Sequence, residues 1–188
     1  MNIDEINNKL KVLLKPKRYI HSISVADCAK RISSIYNCDE DRAYLAGLVH
    51  DCAKNLTKEE IDYYTNKYNI ELDEFEVDNI NLSHGIIGSY IAKYEFFIED
   101  EEILSAIKYH TTGTKNMTIL EKIVYIADLI EDNRNFEGLV EIRYLVYKGK
   151  IDSALLISLD NTIKIVVNRG QIIHPRTINA RNYLIQTI

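Results

Sequence analysis

The chain has 188 residues, of which 46% are hydrophobic, and a formal net charge of −5. This length is enough for one well-buried core, and the negative charge gives no general attraction to nucleic acid or to an anionic membrane surface. The apolar runs are too short to span a membrane. Three cysteines without CxxC spacing argue against a disulfide framework. We therefore expect no nucleic-acid or membrane partner and a location in the reducing cytoplasm.

Apolar residues recur at helical spacing along the whole chain, and no segment alternates as a strand does. The predicted helices, in chain order, cover about residues 3–13, 18–36, 40–53, 58–68, 82–96, 101–110, 119–128, 136–147 and 152–168, with a short helix after Pro175. Thr57 and Thr118 each stand three residues before a glutamate, which is the pattern of a capping box at a helix start. Asp39 and Asp100 are further candidate caps. The sequence therefore predicts an all-α protein.

Four of the five histidines and two aspartates form an ordered set near the ends of these predicted helices. The set consists of His21, His50, Asp51, His84, His110 and Asp128. Imidazole nitrogens and carboxylate oxygens are ligands that iron, manganese and zinc accept together. The pattern therefore indicates a metal-dependent hydrolase.

Taken singly, each of these residues has a simpler explanation. A lone histidine on an apolar helix face is more often a hydrogen-bonded core residue than a ligand, and Asp128 could merely end a helix, although an acid there opposes the helix dipole. The adjacent His50 and Asp51 project about 100° apart on a helix, so both reach one centre only near its end. Helical periodicity is lost in residues 52–56, which favours the joint site.

The set resembles the HD superfamily of metal-dependent phosphohydrolases, and more specifically its YqeK-type symmetrical diadenosine tetraphosphate hydrolases. The matching segments are residues 18–22, 46–54, 83–85, 106–113, 125–131, 134–136 and 173–177, followed by 180–182. The resemblance covers essentially the whole chain. It implies an HD-domain helical bundle forming a single domain over residues 1–188, with additional C-terminal helices from about 136 to 188 packed on it.

The resemblance also implies a cofactor and a reaction. The cofactor is iron, as a di-iron centre, with manganese, cobalt or zinc as substitutes. The implied metal ligands are His21, His50, Asp51 and Asp128, with Asp51 bridging two ions, while His84 and His110 would face either a second metal or the phosphates. A metal-activated water would split a dinucleoside polyphosphate symmetrically into two molecules of ADP or GDP.

An anionic substrate in an acidic protein requires local cations. Lys54 is the best candidate to stabilise a phosphoryl oxygen, although a solvated lysine at a helix end is an equally simple interpretation. The implied catalytic residues are Asp51, Lys54, His84 and His110. The implied nucleotide-binding residues are Arg18, Lys54, His84, His110, Thr111, Arg134, Ile173, His174 and Pro175.

Other functions on the same scaffold stay open at this point. The substrate could be a mononucleotide, a guanosine polyphosphate or a cyclic nucleotide, or the chain could be a nucleotide sensor that has lost turnover. An intact ligand set together with Lys54 favours catalysis, because a sensor has no need to keep every ligand. A homodimer is also left open.

Overall fold

The chain folds into ten α-helices, and the structure, a computed structural model, describes every residue from Met1 to Ile188. In chain order they are α1 Ile3–Leu13, α2 Pro16–Ser33, α3 Glu40–Val49, α4 Lys58–Tyr68, α5 Ile80–Glu95, α6 Glu101–Tyr109, α7 Ile119–Ile130, α8 Leu139–Tyr147, α9 Ile151–Asn168 and α10 Pro175–Thr187. No strand forms. The prediction of an all-α protein is confirmed.

Short polar signals begin most of these helices. The side chain of Thr57 accepts a hydrogen bond from the backbone N of Glu60, whose carboxylate accepts one from Thr57 N in return. The same reciprocal pair forms at the start of α7 between Thr118 and Glu121. Asp39 and Asp100 cap α3 and α6 through their carboxylates. The predicted caps are confirmed, because each satisfies amide donors that a helix start leaves unpaired.

Several predicted boundaries were wrong by two to four residues. The second helix begins at Pro16 and ends at Ser33, followed by a 3-10 turn at Ser34–Tyr36. The third ends at Val49 instead of Ala53, and the residues after it form turns. The seventh runs to Ile130 instead of stopping at Asp128, because Ile130 continues the buried apolar face. His50 and Asp128 therefore lie at a helix end and in the last turn of a helix, respectively.

Boundaries in other helices also moved. The fifth helix starts at Ile80 and not at Leu82. The eighth starts at Leu139, because Gly138 before it adopts a left-handed backbone with φ of 87°. The last helix, expected to be short, has 13 residues.

Two glycines allow the helices that carry the site to approach closely. A Cβ on Gly47 would lie 3.0 Å from the Cα of Ala26, where α3 crosses α2. A Cβ on Gly85 would lie 2.7 Å from the carbonyl oxygen of Lys108, where α5 packs on α6. Real Cβ atoms essentially never show a contact as short as the one at Gly85, and the contact at Gly47 is tighter than nine in ten real ones. The packing of α5 on α6 therefore requires glycine, and the crossing of α3 over α2 favours it.

The remaining helices surround this centre. Helix α7 packs against α2, α3 and α6, and α9 packs on α7, so that α8–α10 cover one side of the bundle. One connected cluster of buried apolar side chains extends from Ile6 in α1 to Leu184 in α10. No helix is both long and apolar enough to cross a membrane.

Candidate metal centre

The carboxylate of Asp51 lies between two pairs of imidazoles. Its Oδ2 is 3.3 Å from Nε2 of His50 and 3.9 Å from Nε2 of His21. Its Oδ1 is 3.2 Å from Nε2 of His84 and 3.6 Å from Nε2 of His110. Each carboxylate oxygen therefore faces its own pair of nitrogens, which is the arrangement of a bridging ligand.

Asp128 joins only one of these pairs. Its Oδ1 is 2.9 Å from Nε2 of His21 and 4.0 Å from Nε2 of His50. We call His21, His50, Asp128 and Asp51 Oδ2 the first half-site, and His84, His110 and Asp51 Oδ1 the second half-site. The first offers more protein ligands than the second.

The other ring nitrogen, Nδ1, of all four histidines is held by an acceptor. The Nδ1–acceptor pairs are His50 with Gly47 O at 2.6 Å, His84 with Ile80 O at 2.8 Å, His110 with Ile107 O at 2.7 Å, and His21 with Glu131 Oε1 at 3.2 Å. A carbonyl oxygen only accepts, so Nδ1 of the three histidines that it holds must carry the proton. Nε2 of each neutral ring then presents a lone pair toward Asp51, as in metal-ligating histidines.

The donor set fits a metal ion. Nε2 of His21 and of His50 are buried and have no hydrogen-bond partner. Nε2 of His84 and of His110 lie 3.0 Å apart, yet neither can donate while its Nδ1 carries the only proton of a neutral ring. Acceptors that face acceptors in a buried site are costly unless a cation lies between them. The prediction that this set binds metal is therefore physically consistent.

The pKa values of His84, Asp51 and Asp128 favour the ionisation states that a metal needs, whereas the raised pKa of His50 favours its protonated form. Burial lowers the pKa of His84 to about 4, so this ring is neutral near pH 7. Burial alone would raise the pKa of Asp51 and Asp128, but the neighbouring histidines hold both carboxyls well below their usual range. Burial opposes the charge on His50, whereas the carboxylates of Asp51 and Asp128 outweigh it and raise that pKa. Divalent metals bind deprotonated carboxylates and neutral imidazoles.

Three predicted cations border the same centre. Nη1 of Arg18 donates to Asp51 Oδ2 at 2.8 Å, and Nη2 of Arg134 donates to Asp128 Oδ1 at 2.7 Å. Nζ of Lys54 lies 3.4 Å from Nε2 of His84, and burial lowers the pKa of this lysine. The structure thus places Lys54 at the centre and not on the solvated surface.

Arg18 and Arg134 also line a cleft of about 700 Å³ that we call the basic cleft. Its walls are formed by Lys15, Lys17, Arg18, Ile20, His21, Asn55, Glu131, Asn133 and Arg134. Four cations against one carboxylate make this cleft suitable for phosphate groups. Because His21 forms part of its wall, the cleft opens on the first half-site.

Other predicted nucleotide-binding residues lie in two places. Thr111 Oγ1 is 3.2 Å from His84 Nε2 and 3.1 Å from His110 Nε2, at the second half-site. His174 instead is buried, with Nε2 3.0 Å from Asp73 Oδ2. It hydrogen-bonds Asp73 and the start of α10 and not the ligand cluster. Ile173 is half-buried beside it and Pro175 is exposed.

Two buried carboxylates near the predicted site residues were not predicted from the sequence. Glu131 binds Nδ1 of His21, although 110 residues separate the two. Glu76 is buried and pairs with Arg176, which links the loop before α5 to the start of α10. The spacing of Glu131 three residues after Asp128, one helical turn away, was the only available signal for the first pair.

Comparisons with known proteins agree with this geometry. The family model described as HD domain matches residues 18–133. The protein named "Bis(5'-nucleosyl)-tetraphosphatase, symmetrical" of Bacillus subtilis is 35% identical, and the one of the same name from Halalkalibacterium halodurans is 36% identical. Each alignment covers 98% of this chain and 98% of the relative.

A solved structure is similar over its full length. It is a crystal structure from Clostridium acetobutylicum described as a predicted HD superfamily hydrolase involved in NAD metabolism. The TM-score is 0.95 at 46% sequence identity, and the alignment covers 100% of this chain and 99% of the other.

The chain therefore belongs to the HD-domain family of metal-dependent hydrolases. Within that family, its resemblance to the YqeK-type symmetrical bis(5'-nucleosyl)-tetraphosphatases is confirmed by relatives that bear this name over nearly the whole chain. The helical-bundle fold expected from the resemblance is confirmed as well.

Proposed function

We propose that this protein hydrolyses dinucleoside tetraphosphates, such as diadenosine tetraphosphate, at the middle of the phosphate chain. The products are two nucleoside diphosphates, ADP or GDP. The observation that carries the proposal is the position of Asp51, whose two oxygens each face a separate pair of imidazole nitrogens. The names of the full-length relatives support the choice of substrate.

The metal would be held by His21, His50, Asp51 and Asp128 in the first half-site, with His84 and His110 completing the second. Iron, as a di-iron centre, is the proposed metal, with manganese, cobalt or zinc as substitutes. When bound, the metals would supply Lewis acidity and an activated water nucleophile. The mixed nitrogen and oxygen donors suit these ions better than magnesium or calcium, which prefer oxygen ligands alone.

The protein's own groups would bind and orient the polyphosphate. Arg18 and Arg134 lie at the first half-site, where their guanidinium groups can bind phosphate oxygens in bidentate fashion. Lys54 lies beside His84 and would stabilise charge that develops on the phosphoryl group. Thr111 would orient a phosphate oxygen through its hydroxyl.

The remaining nucleotide-binding residues are proposed in the same sense. Ile173, His174 and Pro175 would border the nucleotide away from the metals, since His174 itself is held by Asp73. We further propose a cytoplasmic protein that acts without a nucleic-acid or membrane partner, in keeping with its net charge of −5.

The test is product analysis with metal-loaded protein. Diadenosine tetraphosphate should give ADP as the sole nucleotide product on anion-exchange chromatography. AMP together with ATP would reject symmetrical cleavage. Tight binding of diadenosine tetraphosphate without turnover, under any of the four metals, would indicate a nucleotide sensor. Faster turnover of a mononucleotide or a guanosine polyphosphate would show that this compound, and not a dinucleoside tetraphosphate, is the substrate.

A further inference from the structure

A large cavity lies outside the metal centre, between α4, residues 70–79 and the first turn of α5. Its volume is about 830 Å³, within the usual range of about 300–1,000 Å³ for small-molecule pockets. Its aliphatic walls are Leu56, Ile61, Ile70, Leu72, Val77 and Ile80. We call it the apolar cavity.

The apolar cavity shares a wall with the second half-site. The carbonyl oxygen of Ile80 accepts a hydrogen bond from Nδ1 of His84 at 2.8 Å, while Ile80 also lines the cavity. Ser83 lines the cavity and directly precedes His84. Leu56, which follows Lys54 by two residues, also lines the cavity. Ile80 and His84 are four residues apart on α5, which corresponds to about 6 Å along the helix axis.

The charges of the apolar cavity favour a neutral group over a phosphate. Four carboxylates line it, those of Asp62, Glu71, Asp78 and the buried Glu76, which pairs with Arg176. Its one cation, Lys58, lies 3.7 Å from Asp78. A polyphosphate would be repelled here and attracted to the basic cleft. A nucleoside suits the cavity, because its base can pack on the aliphatic wall while its amino and hydroxyl groups donate to the carboxylates.

We propose that the apolar cavity binds one nucleoside end of the substrate, a purine nucleoside, while the phosphates extend across the metals toward the basic cleft. This inference rests on the proposed function. A symmetrical substrate carries a nucleoside at each end, so cleavage at its midpoint places the two ends on opposite sides of the centre. The basic cleft opens on the first half-site and the apolar cavity adjoins the second, as this substrate requires.

Filling the apolar cavity tests the proposal. Thr65 on α4 is half-buried in the wall of the cavity, so the larger side chain of Thr65→Phe would occupy the cavity. The Thr65 hydroxyl bonds only to the carbonyl oxygen of Ile61 in the same helix, so its removal breaks no contact between helices. Asn66→Phe is the matched control, since this exposed neighbour is not part of the wall. Each variant is loaded with metal and assayed with diadenosine tetraphosphate. Metal content and circular dichroism are recorded beside the kinetics.

Thr65→Phe should lower kcat/KM by about tenfold or more, mainly through KM, because nucleoside contacts are equal in ground and transition states. Its metal content should stay unchanged, and Asn66→Phe should remain within about twofold of wild type. Wild-type kcat/KM in Thr65→Phe, or an equal loss in both variants, would overturn the proposal. If Thr65→Phe does not fold, Val77→Trp fills the cavity from the opposite wall, where Val77 is 52% exposed, with the same outcomes. Failure of wild type to release ADP would instead refute the proposed function.

Discussion

Replacing Glu131 by glutamine should weaken metal binding at the first half-site without touching any metal ligand. Glu131 is buried, with a side chain 2% exposed. Its Oε1 lies 3.2 Å from Nδ1 of His21, and its Oε2 accepts from the backbone N and side-chain Nδ2 of Asn133 at 2.7 and 3.0 Å. Both oxygens are acceptors, so an amide, which has one acceptor oxygen, cannot replace both.

The size of the effect follows from this bonding. Glutamine has one acceptor oxygen for these two contacts, and Nδ1–H of His21, if left without an acceptor, costs about 1–3 kcal/mol as an unsatisfied buried donor. Loss of the negative charge behind the imidazole also makes Nε2 a weaker ligand. Mutation of the hydrogen-bond partner of a metal-binding histidine typically lowers the metal affinity by about 10–100-fold. We expect a loss of that size at the first half-site.

Chelator competition provides the assay, because it resolves the affinity of each bound ion. Glu131→Gln should release one equivalent more readily, while the equivalent held by His84 and His110 keeps its affinity. Asp132→Asn is the matched control: it removes the same charge from the next residue, whose side chain is 76% exposed and pairs only with Arg31. That control should stay within about twofold of wild type.

Two results would refute this reasoning. If Glu131→Gln retains both ions with wild-type affinity, the contact with His21 has no influence on the metal. If both equivalents weaken together and the unfolding temperature of the metal-free protein falls as well, Glu131 supports the fold and not the orientation of one imidazole.

Three other predictions follow from the same centre. The purified protein should contain about two metal equivalents; activity that survives chelation, with less than about one equivalent found, would contradict the metal site. Asp51→Asn should abolish turnover with unchanged helical circular dichroism, and activity within about tenfold of wild type would show that Asp51 bridges nothing. Lys54→Met should keep its metal and lose about 100-fold in kcat, whereas Arg18→Met and Arg134→Met should mainly raise KM. An unchanged kcat in Lys54→Met would reject its role.

The sequence predicted the helices and the convergence of the ligands because both depend on local signals. Capping residues and apolar spacing are visible in the chain, and the loss of periodicity in residues 52–56 indicated that the third helix ends close to the His50-Asp51 pair, although it ends at Val49 and not at Ala53. The partner of His21 was not predicted, since the contact with Glu131 exists only after α2 and α7 pack together. The burial of His174 was missed for the same reason, because its partner Asp73 lies 101 residues away.

Gly85 makes the separation of the His84 and His110 imidazoles a property of the backbone. Because a Cβ at this position would lie 2.7 Å from the carbonyl oxygen of Lys108, α5 and α6 can approach this closely only without a side chain between them. His84 precedes the glycine and His110 follows Lys108 by two residues, so widening the helix pair would move the two rings apart. Consider a relative that keeps all six histidines and aspartates of the centre but has a larger residue in place of Gly85. Its sequence would be that of a two-metal centre, but its imidazoles would be too far apart to form one. The number of ligand residues in such a chain is not a count of the ions it binds.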